Sequence, residues 1–423
     1  MINLKTGQRE LAYVVKIDKI EPITGSDNCE AAIVGGWRIM TRKGTFQEGD
    51  RAVYFEIDSK VPETETFAFL ASKHYKVKTQ KYTFGGKGNF ISQGLLMSFD
   101  DFKENGEKPK WQLKLFEKIN SGETEAPDGV GEPLTKELGV TYAVAEDNKR
   151  KSNIDKYSKM KQRHQELFKR NKMIQWLYKR QWGKRVLFLF LGKKKDSASG
   201  WPVGKFPGVS KTDQERCENM TWVLEDKTPF IVTQKCDGSS GTFILERKSF
   251  GRYEFYVCSR NVRMFKPDQK CFYGDDNYYW DAAIKYNIEE KMKDYLNKNK
   301  DISFVCWQGE ICAPGIQGNP HNLKDLHLYC FHMTDSKNGR YDIREAKKIW
   351  DSYQMETVPI VNDNYILPDD FEEFKLTADG LYDSQVCEGH TDCPREGFVY
   401  YKTTEPTFSF KNVSREYLLK RGQ

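Results

Sequence analysis

Lys235 and Asp237 stand two residues apart at the start of a turn, Asp237-Gly-Ser-Ser-Gly241. Apolar and β-branched residues flank it, so Phe230 to Lys235 reads as a strand and Thr242 to Glu246 as its returning partner, a hairpin pattern. Alternation along a strand sends Lys235 and Asp237 to the same face, and Gly238 lets a ligand approach the backbone. A cation and a carboxylate on one face there suit phosphate chemistry. The lysine could also be a nucleophile once neutral. An ordinary lysine titrates near ~10.4, so a desolvated cleft and nearby cations must lower that value. Taken alone, the same four residues also describe a solvated lysine on a surface hairpin.

Further reactive side chains leave predicted strands downstream. Cys258-Ser-Arg-Asn261 follows a strand from Tyr253 to Val257, and Phe304-Val-Cys-Trp-Gln-Gly-Glu310 ends on a glutamate and runs on to Gly315-Ile-Gln-Gly-Asn319. Leu328-Tyr-Cys-Phe-His-Met333, Arg395-Glu-Gly-Phe-Val-Tyr400 and Phe408-Ser-Phe-Lys411 complete the set. Together with Lys235-Cys-Asp-Gly238, in order and spacing, these stretches resemble the motifs of the covalent nucleotidyltransferases: DNA ligases, RNA ligases and mRNA capping enzymes. Val209 to Asn219 contains a Lys-Thr-Asp-x-x-Arg stretch that resembles the lead-in of RNA ligases. Its N-cap candidate and charged helix formers predict a helix.

The resemblance implies roles for single residues. Lys235 is the nucleophile that takes AMP from ATP, with AMP-lysine as the covalent intermediate. Asp237, Glu310 and Glu396 hold Mg2+ or Mn2+ through its waters, since magnesium keeps much of its hydration shell; Glu310 alternatively binds the ribose hydroxyls. Lys411, helped by Lys402, neutralises the phosphates and orients the leaving pyrophosphate. Gln234 and Gly238 belong to the nucleotide site. Arg260 and Asn261 approach the ribose and the acceptor end, and Phe331 lies on the adenine, with Tyr329 displaced there only by a register slip. Ser409 stands where many relatives carry the first lysine of a Lys-x-Lys pair, which makes Lys402 the replacement charge. Cys236 reads as packing, turned away from Lys235.

Composition bounds the elements that must position these groups. A chain of 423 residues makes roughly two to three domains. Its 38% hydrophobic and 30% charged residues describe a soluble globular protein with a long polar insertion. No run approaches the ~18 apolar residues of a membrane span, Val186 to Leu191 being far too short, and the N-terminus lacks the apolar core of a signal peptide. Ten scattered cysteines suit free thiols in a reducing compartment. The expected location is intracellular, cytoplasmic, with the nucleus as alternative. Cys387, His390 and Cys393 lack a clear fourth zinc ligand.

Glu10 to Phe102 reads as short strands with Gly/Asp turns: strand-like Leu11 to Ile20, a hairpin on Gly35-Gly36, and Gln47-Glu-Gly-Asp50 turning into Arg51 to Ile57. This arrangement resembles the OB-fold modules of RNA ligases and tRNA-binding domains. Lys73, Lys76, Lys78, Lys81 and Lys87, interleaved with His74, Tyr75, Tyr82 and Phe84, offer cations and rings for a single-strand RNA groove. Gly85-Gly-Lys-Gly88 reads as a hairpin turn, and residues 100–139 read as irregular. From Lys149 to Lys195 there are 17 Lys and Arg against two acids, Asp155 and Glu166. Near-helical spacing of Met160, Leu167, Ile174 and Tyr178 predicts a basic amphipathic helix to about Arg180, suited to an RNA backbone.

The expected architecture is α+β: an antiparallel-sheet nucleotidyltransferase domain preceded by a small all-β OB-like barrel. The predicted boundaries are 1–140 for the barrel with its extension, 141–200 for the basic insertion and 201–423 for the catalytic domain. A short tail after the last motif, with the OB-like segment placed first, resembles the RNA ligases without a C-terminal domain. The implied activity is ATP-dependent sealing of RNA 3′-OH and 5′-phosphate ends by a monomer, away from membranes and in RNA repair. A capping-type guanylyltransferase and an inactive RNA-binding relative are the alternatives.

Overall fold

The computed structural model describes residues 1–3, 9–86, 88–103, 106–143, 171–191, 209, 213–260, 263–264, 277–388 and 393–422. Its first unit is a barrel of short strands: β1 (Ala12–Lys16), β2 (Lys19–Pro22), β3 (Cys29–Val34), β4 (Trp37–Arg42), β5 (Arg51–Phe55), β6 (Gln80–Thr83), β7 (Asn89–Ser92) and β8 (Leu95–Met97). β1, β5 and β8 form one antiparallel sheet and β2, β3 and β4 another, while β6 and β7 pair as the expected hairpin. The stretch Leu11 to Ile20 is not one strand. It bends at Ile17-Asp18, where those two amides donate to Asp50 and Ile33 carbonyls, so its halves serve different sheets.

β1 and β5 are apolar on both faces. One face, with Tyr13, Val15 and Tyr54, fills the barrel around Trp37 and Ile39. The other, with Val14, Val53 and Phe55, needs a cover, and residues 100–140 supply it through Phe102, Leu115, Leu134, Leu138 and Val140. That segment is therefore less irregular than its glycines suggest. It contains helix α1 (Lys110–Ser121), capped by Gly122 at φ 73°. In the basic insertion, α2 (Lys172–Tyr178) ends close to Arg180, where the expected helix was to stop, and a second helix, α3 (Gln181–Leu191), follows it. Met160 and Leu167, the first half of that expectation, lie outside the described residues.

The second unit holds β9 (Glu215–Arg216), β10 (Phe230–Gln234), β11 (Ser239–Arg247), β12 (Tyr253–Ser259), α4 (Tyr278–Lys285), α5 (Ile288–Lys298), β13 (Phe304–Cys312), β14 (His327–Asp335), α6 (Ile343–Ser352), β15 (Ile360–Tyr365), α7 (Phe371–Leu376), β16 (Gly397–Lys402), β17 (Glu405–Val413) and α8 (Arg415–Arg421). One sheet runs β9-β17-β16-β10-β15. The other runs β12-β11-β13-β14, edged by Arg263–Met264 and Gly339–Arg340. The two strands around Lys235 are thus not a hairpin. β10 pairs with β15 and β16, and β11 with β12 and β13. Every residue of β10 is buried, so it requires neighbours on both edges, and residues 235–238 become the crossover from one sheet to the other.

The lead-in also departs from expectation. Glu215–Arg216 form β9, parallel to β17, followed by a single 3-10 turn at Cys217–Asn219 rather than an α-helix. Arg216, Cys217 and Glu218 are all buried, leaving no solvent face for a charged helix. Among the described residues no helix is long and apolar enough to cross a membrane.

Candidate active site

The crossover residues face a cavity of about 440 Å³ between the two sheets, closed on one side by the barrel. Lys235 leaves the end of β10 and its amine lies 2.8 Å from a Glu396 carboxylate oxygen, delivered just before β16. Glu310, on β13, accepts a hydrogen bond from the Gly238 amide at 3.2 Å. A Cβ on residue 238 would fall 2.4 Å from the Ile311 carbonyl and 3.0 Å from Glu310 Cγ. Glycine is required there by the pressing β13 backbone as much as by any ligand.

Asp237 shares the neighbourhood but not the orientation expected from simple alternation. Its carboxylate accepts from the Tyr417 hydroxyl and pairs with Arg421 at 3.2 Å, both on α8. Its amide donates to His321 Nε2 at 3.1 Å, while His321 Nδ1 donates to the Val386 carbonyl at 2.9 Å. Burial pushes His321 down to about 4, which keeps it the neutral acceptor that this bond needs. Cys236 is packed in the core, and Cys312 Sγ lies 4.0 Å from the Asp237 carbonyl.

Charge is sorted along the cavity. At the Lys235 end, burial pushes Glu310 up to about 8 against the pull of Lys235, and burial with the nearby Glu396 pushes Asp237 up to about 6. Burial opposes the charged amine of Lys235, yet Glu396, Glu310 and Asp237 outweigh it and hold its pKa above the ordinary lysine value. Three carboxylates gathered around one amine form a hard-oxygen set suited to a hydrated divalent cation. Among the described residues no group of three or more His, Cys, Asp or Glu converges for direct ligation.

The opposite wall is cationic. β9 sets Arg216 beside Lys411 of β17, and Arg9 reaches in from ahead of the barrel. Burial, then Arg9 and Arg216, push Lys411 down to about 7. Arg260 also lines the cavity, paired with Asp213. Asp213 is held below its usual range because Lys411 and Arg260 outweigh its burial. Phe331 lines the cavity, whereas Tyr329 is buried in the core against His327.

Other expected members fall elsewhere. Lys402, at the far end of β16, pairs with Asp226 at 2.5 Å and lies over Phe408, outside the cavity lining. It therefore does not supply the charge missing at Ser409; Arg216 and Arg9 stand there instead. Gln234 does line the cavity, with its side-chain amide satisfied by the Gly397 carbonyl and the Asp383 amide. Asn261, Lys87 and His390 lie outside the described residues. Cys387 is buried in the core and Cys393 packs against it. In the barrel, Tyr75 and Phe84 are absorbed by packing and Lys73 donates to Gln80 at 2.6 Å. Lys76 is half-buried and Lys81 exposed, while Lys78 approaches Gly422 at the end of α8, next to Arg421.

Arg9, Asp58 and Tyr142 in the cavity lining were not singled out from the sequence. No local pattern marks them, because they arrive by docking of the barrel. Glu56, fully buried, pairs with Arg9 at 2.6 Å and accepts from Tyr13 and Asn219 at 3.0 Å each. The Trp37 indole donates to Asn219 at 2.6 Å, and Arg216 pairs with Asp58 at 3.2 Å. Val413 and Leu418 join the barrel core, so the barrel and the catalytic unit share one interior.

The OB-fold family model matches residues 11–98 and the RNA ligase family model residues 228–417. Naegleria gruberi RNA ligase, solved with PPi, is 26% identical and superposes with a TM-score of 0.66 over 98% of this chain and 99% of that one. A variant of it with ATP and Mn gives 25% identity and 0.66 over 98% of both chains. Another, with AMP and Mn, gives 26% and 0.66 over 97% and 99%. No curated protein matches the chain. Fold and site define a nucleotidyltransferase of ligase type, an OB-fold domain followed by an antiparallel-sheet ligase domain. Residues 228–417 make up a domain of RNA ligase type, with the OB-fold domain ahead of it.

Proposed function

We propose that the protein is an ATP-dependent RNA ligase that joins 3′-OH and 5′-phosphate ends through AMP carried on Lys235. The observation that carries this reading is the placement of the Lys235 amine, 2.8 Å from Glu396, in a cavity whose far wall is Lys411, Arg216 and Arg9. The Naegleria gruberi ligase has been solved with ATP and Mn, with AMP and Mn, and with PPi, which supports ATP and a divalent cation as the cofactors here.

The neutral Lys235 amine attacks the α-phosphorus; the N–P bond forms as the bond to the β-phosphate bridging oxygen breaks, and pyrophosphate leaves toward Lys411, Arg216 and Arg9. A 5′-phosphate oxygen of RNA then displaces Lys235 from the AMP phosphorus. The 3′-hydroxyl, losing its proton, attacks the activated 5′-phosphorus and AMP departs. Asp237, Glu310 and Glu396 would hold a divalent cation through its waters, which would favour neutral Lys235 and stabilise charge on the phosphoryl oxygens. Phe331 orients the base. Arg260 sits where the acceptor end or ribose would enter.

Such end chemistry serves RNA repair, by a monomer in the cytoplasm; the scattered, unpaired spacing of the ten cysteines in the sequence supports a reducing compartment. The test is sealing of a labelled nicked RNA duplex with magnesium and ATP. Product is expected from 3′-OH and 5′-phosphate ends alone. Product only from 3′-phosphate and 5′-hydroxyl ends, or only with GTP, would contradict the proposal.

A further inference from the structure

The helical pair in the basic insertion is built in a way that the ligase site does not use. Asn171 caps α2 by accepting from the Met173 and Ile174 amides at 3.0 and 3.2 Å. Ile174, Leu177 and Tyr178 pack on Leu187 of α3, a small core of their own. The turn is tight: a Cβ on Gly183 would fall 2.0 Å from the Leu177 carbonyl oxygen, so only glycine lets α3 close on the end of α2.

That closure leaves the largest rings outside the core. Trp176 is 49% exposed, Trp182 54% and Met173 66%. The two indoles meet edge to face across the turn, with centroids 6.2 Å apart at 84°. The Arg180 guanidinium lies 3.6 Å from the Trp176 ring centroid, and the Lys184 amine 5.2 Å from that of Tyr178. Residues 171–191 contain Lys172, Lys179, Arg180, Lys184 and Arg185 and no Asp or Glu. Helical spacing sets Lys172, Trp176 and Lys179 along one side of α2, away from Ile174 and Leu177.

Exposed rings cost solvation, and clustered cations repel one another. Both costs are removed by one kind of ligand, a flexible polyanion with flat apolar faces. We infer that the α2–α3 hairpin is an auxiliary docking surface for single-stranded RNA, with bases stacking on Trp176, Trp182 and the Arg180 guanidinium, and phosphates on the surrounding Lys and Arg. The inference deepens the RNA ligase reading and rests on it: the hairpin would hold a substrate strand outside the cavity and act on RNA affinity, not on the reaction of Lys235 with ATP. A protein partner would find the patch too cationic to desolvate without matching acids. An anionic membrane surface is the competing occupant that the test must separate.

The experiment compares the full chain with W176A/W182A and with W176F/W182F. Three readouts are taken: affinity for a labelled single-stranded RNA at several salt concentrations, binding to vesicles of mixed neutral and anionic phospholipid, and transfer of AMP from labelled ATP to the protein. Alanine at both positions is expected to weaken RNA binding by ~10-fold or more, from lost stacking. Phenylalanine should restore most of it, with AMP transfer unchanged in all three proteins. RNA affinity unchanged by the alanines would overturn the inference. So would loss of vesicle binding with RNA binding intact. A protein that never takes label from ATP would refute the ligase reading, while the RNA-binding arm would still decide the hairpin.

Discussion

The active-site carboxylates are held at a cost to the fold. Glu310 is raised to about 8 from 4.5 by burial, so the folded state loses stability as pH rises from 4.5 toward 8. Water in the cavity screens part of the penalty, leaving about 2 kcal/mol at pH 7. Glu310→Gln should therefore raise the melting temperature of the metal-free protein while abolishing adenylylation; a lower melting temperature would refute the penalty. Lys411 gives a second pH signature. Free, it titrates near 7; bound triphosphate would return it toward the ordinary lysine value. ATP binding should then take up a proton above pH 7, with affinity falling up to ~10-fold per pH unit. Calorimetry in buffers of different ionisation enthalpy measures this uptake, which Lys411→Met should remove.

Among the elements, α8 and the 315–321 loop act on the crossover from outside the cavity. Tyr417, Arg421 and His321 together fix both the carboxylate and the amide of Asp237. Tyr417→Phe and His321→Ala are expected to slow the first turnover of Lys235 with ATP by ~10- to 100-fold, the cost of a small misplacement. Circular dichroism should show the fold retained, and an unchanged rate would mean that Asp237 needs no such support. Sequence reading located Lys235, Glu310, Glu396, Lys411 and Phe331 because each lies on a strand or at its end, inside a short stretch whose order and spacing resemble the ligase motifs. It misjudged the strands around Lys235 because hairpin signals are local, whereas β10 and β11 are claimed by different sheets through partners up to 172 residues away, as in the Phe230–Lys402 pairing of β10. Lys402 failed for a related reason: proximity to the motif in sequence placed it one strand length from the cavity.

At the scale of the whole molecule, the barrel completes the cation wall. Its order before the ligase domain was legible, but its contribution of Arg9, Asp58 and Tyr142 was not, since docking brings together residues separated by more than a hundred positions. Glu56 is the keystone. Glu56→Ala would leave Arg9 buried without its partner and should cost about 3–5 kcal/mol in urea unfolding, with weaker ATP binding; stability and binding both unaltered would show the two units to be independent. The central claim is settled most directly by incubating the protein and its Lys235→Ala variant with magnesium and α-labelled ATP or GTP. Label retained from ATP by the unmodified chain alone is the predicted result. Label from GTP, label persisting in the variant, or none in a folded protein freed of bound AMP would contradict it.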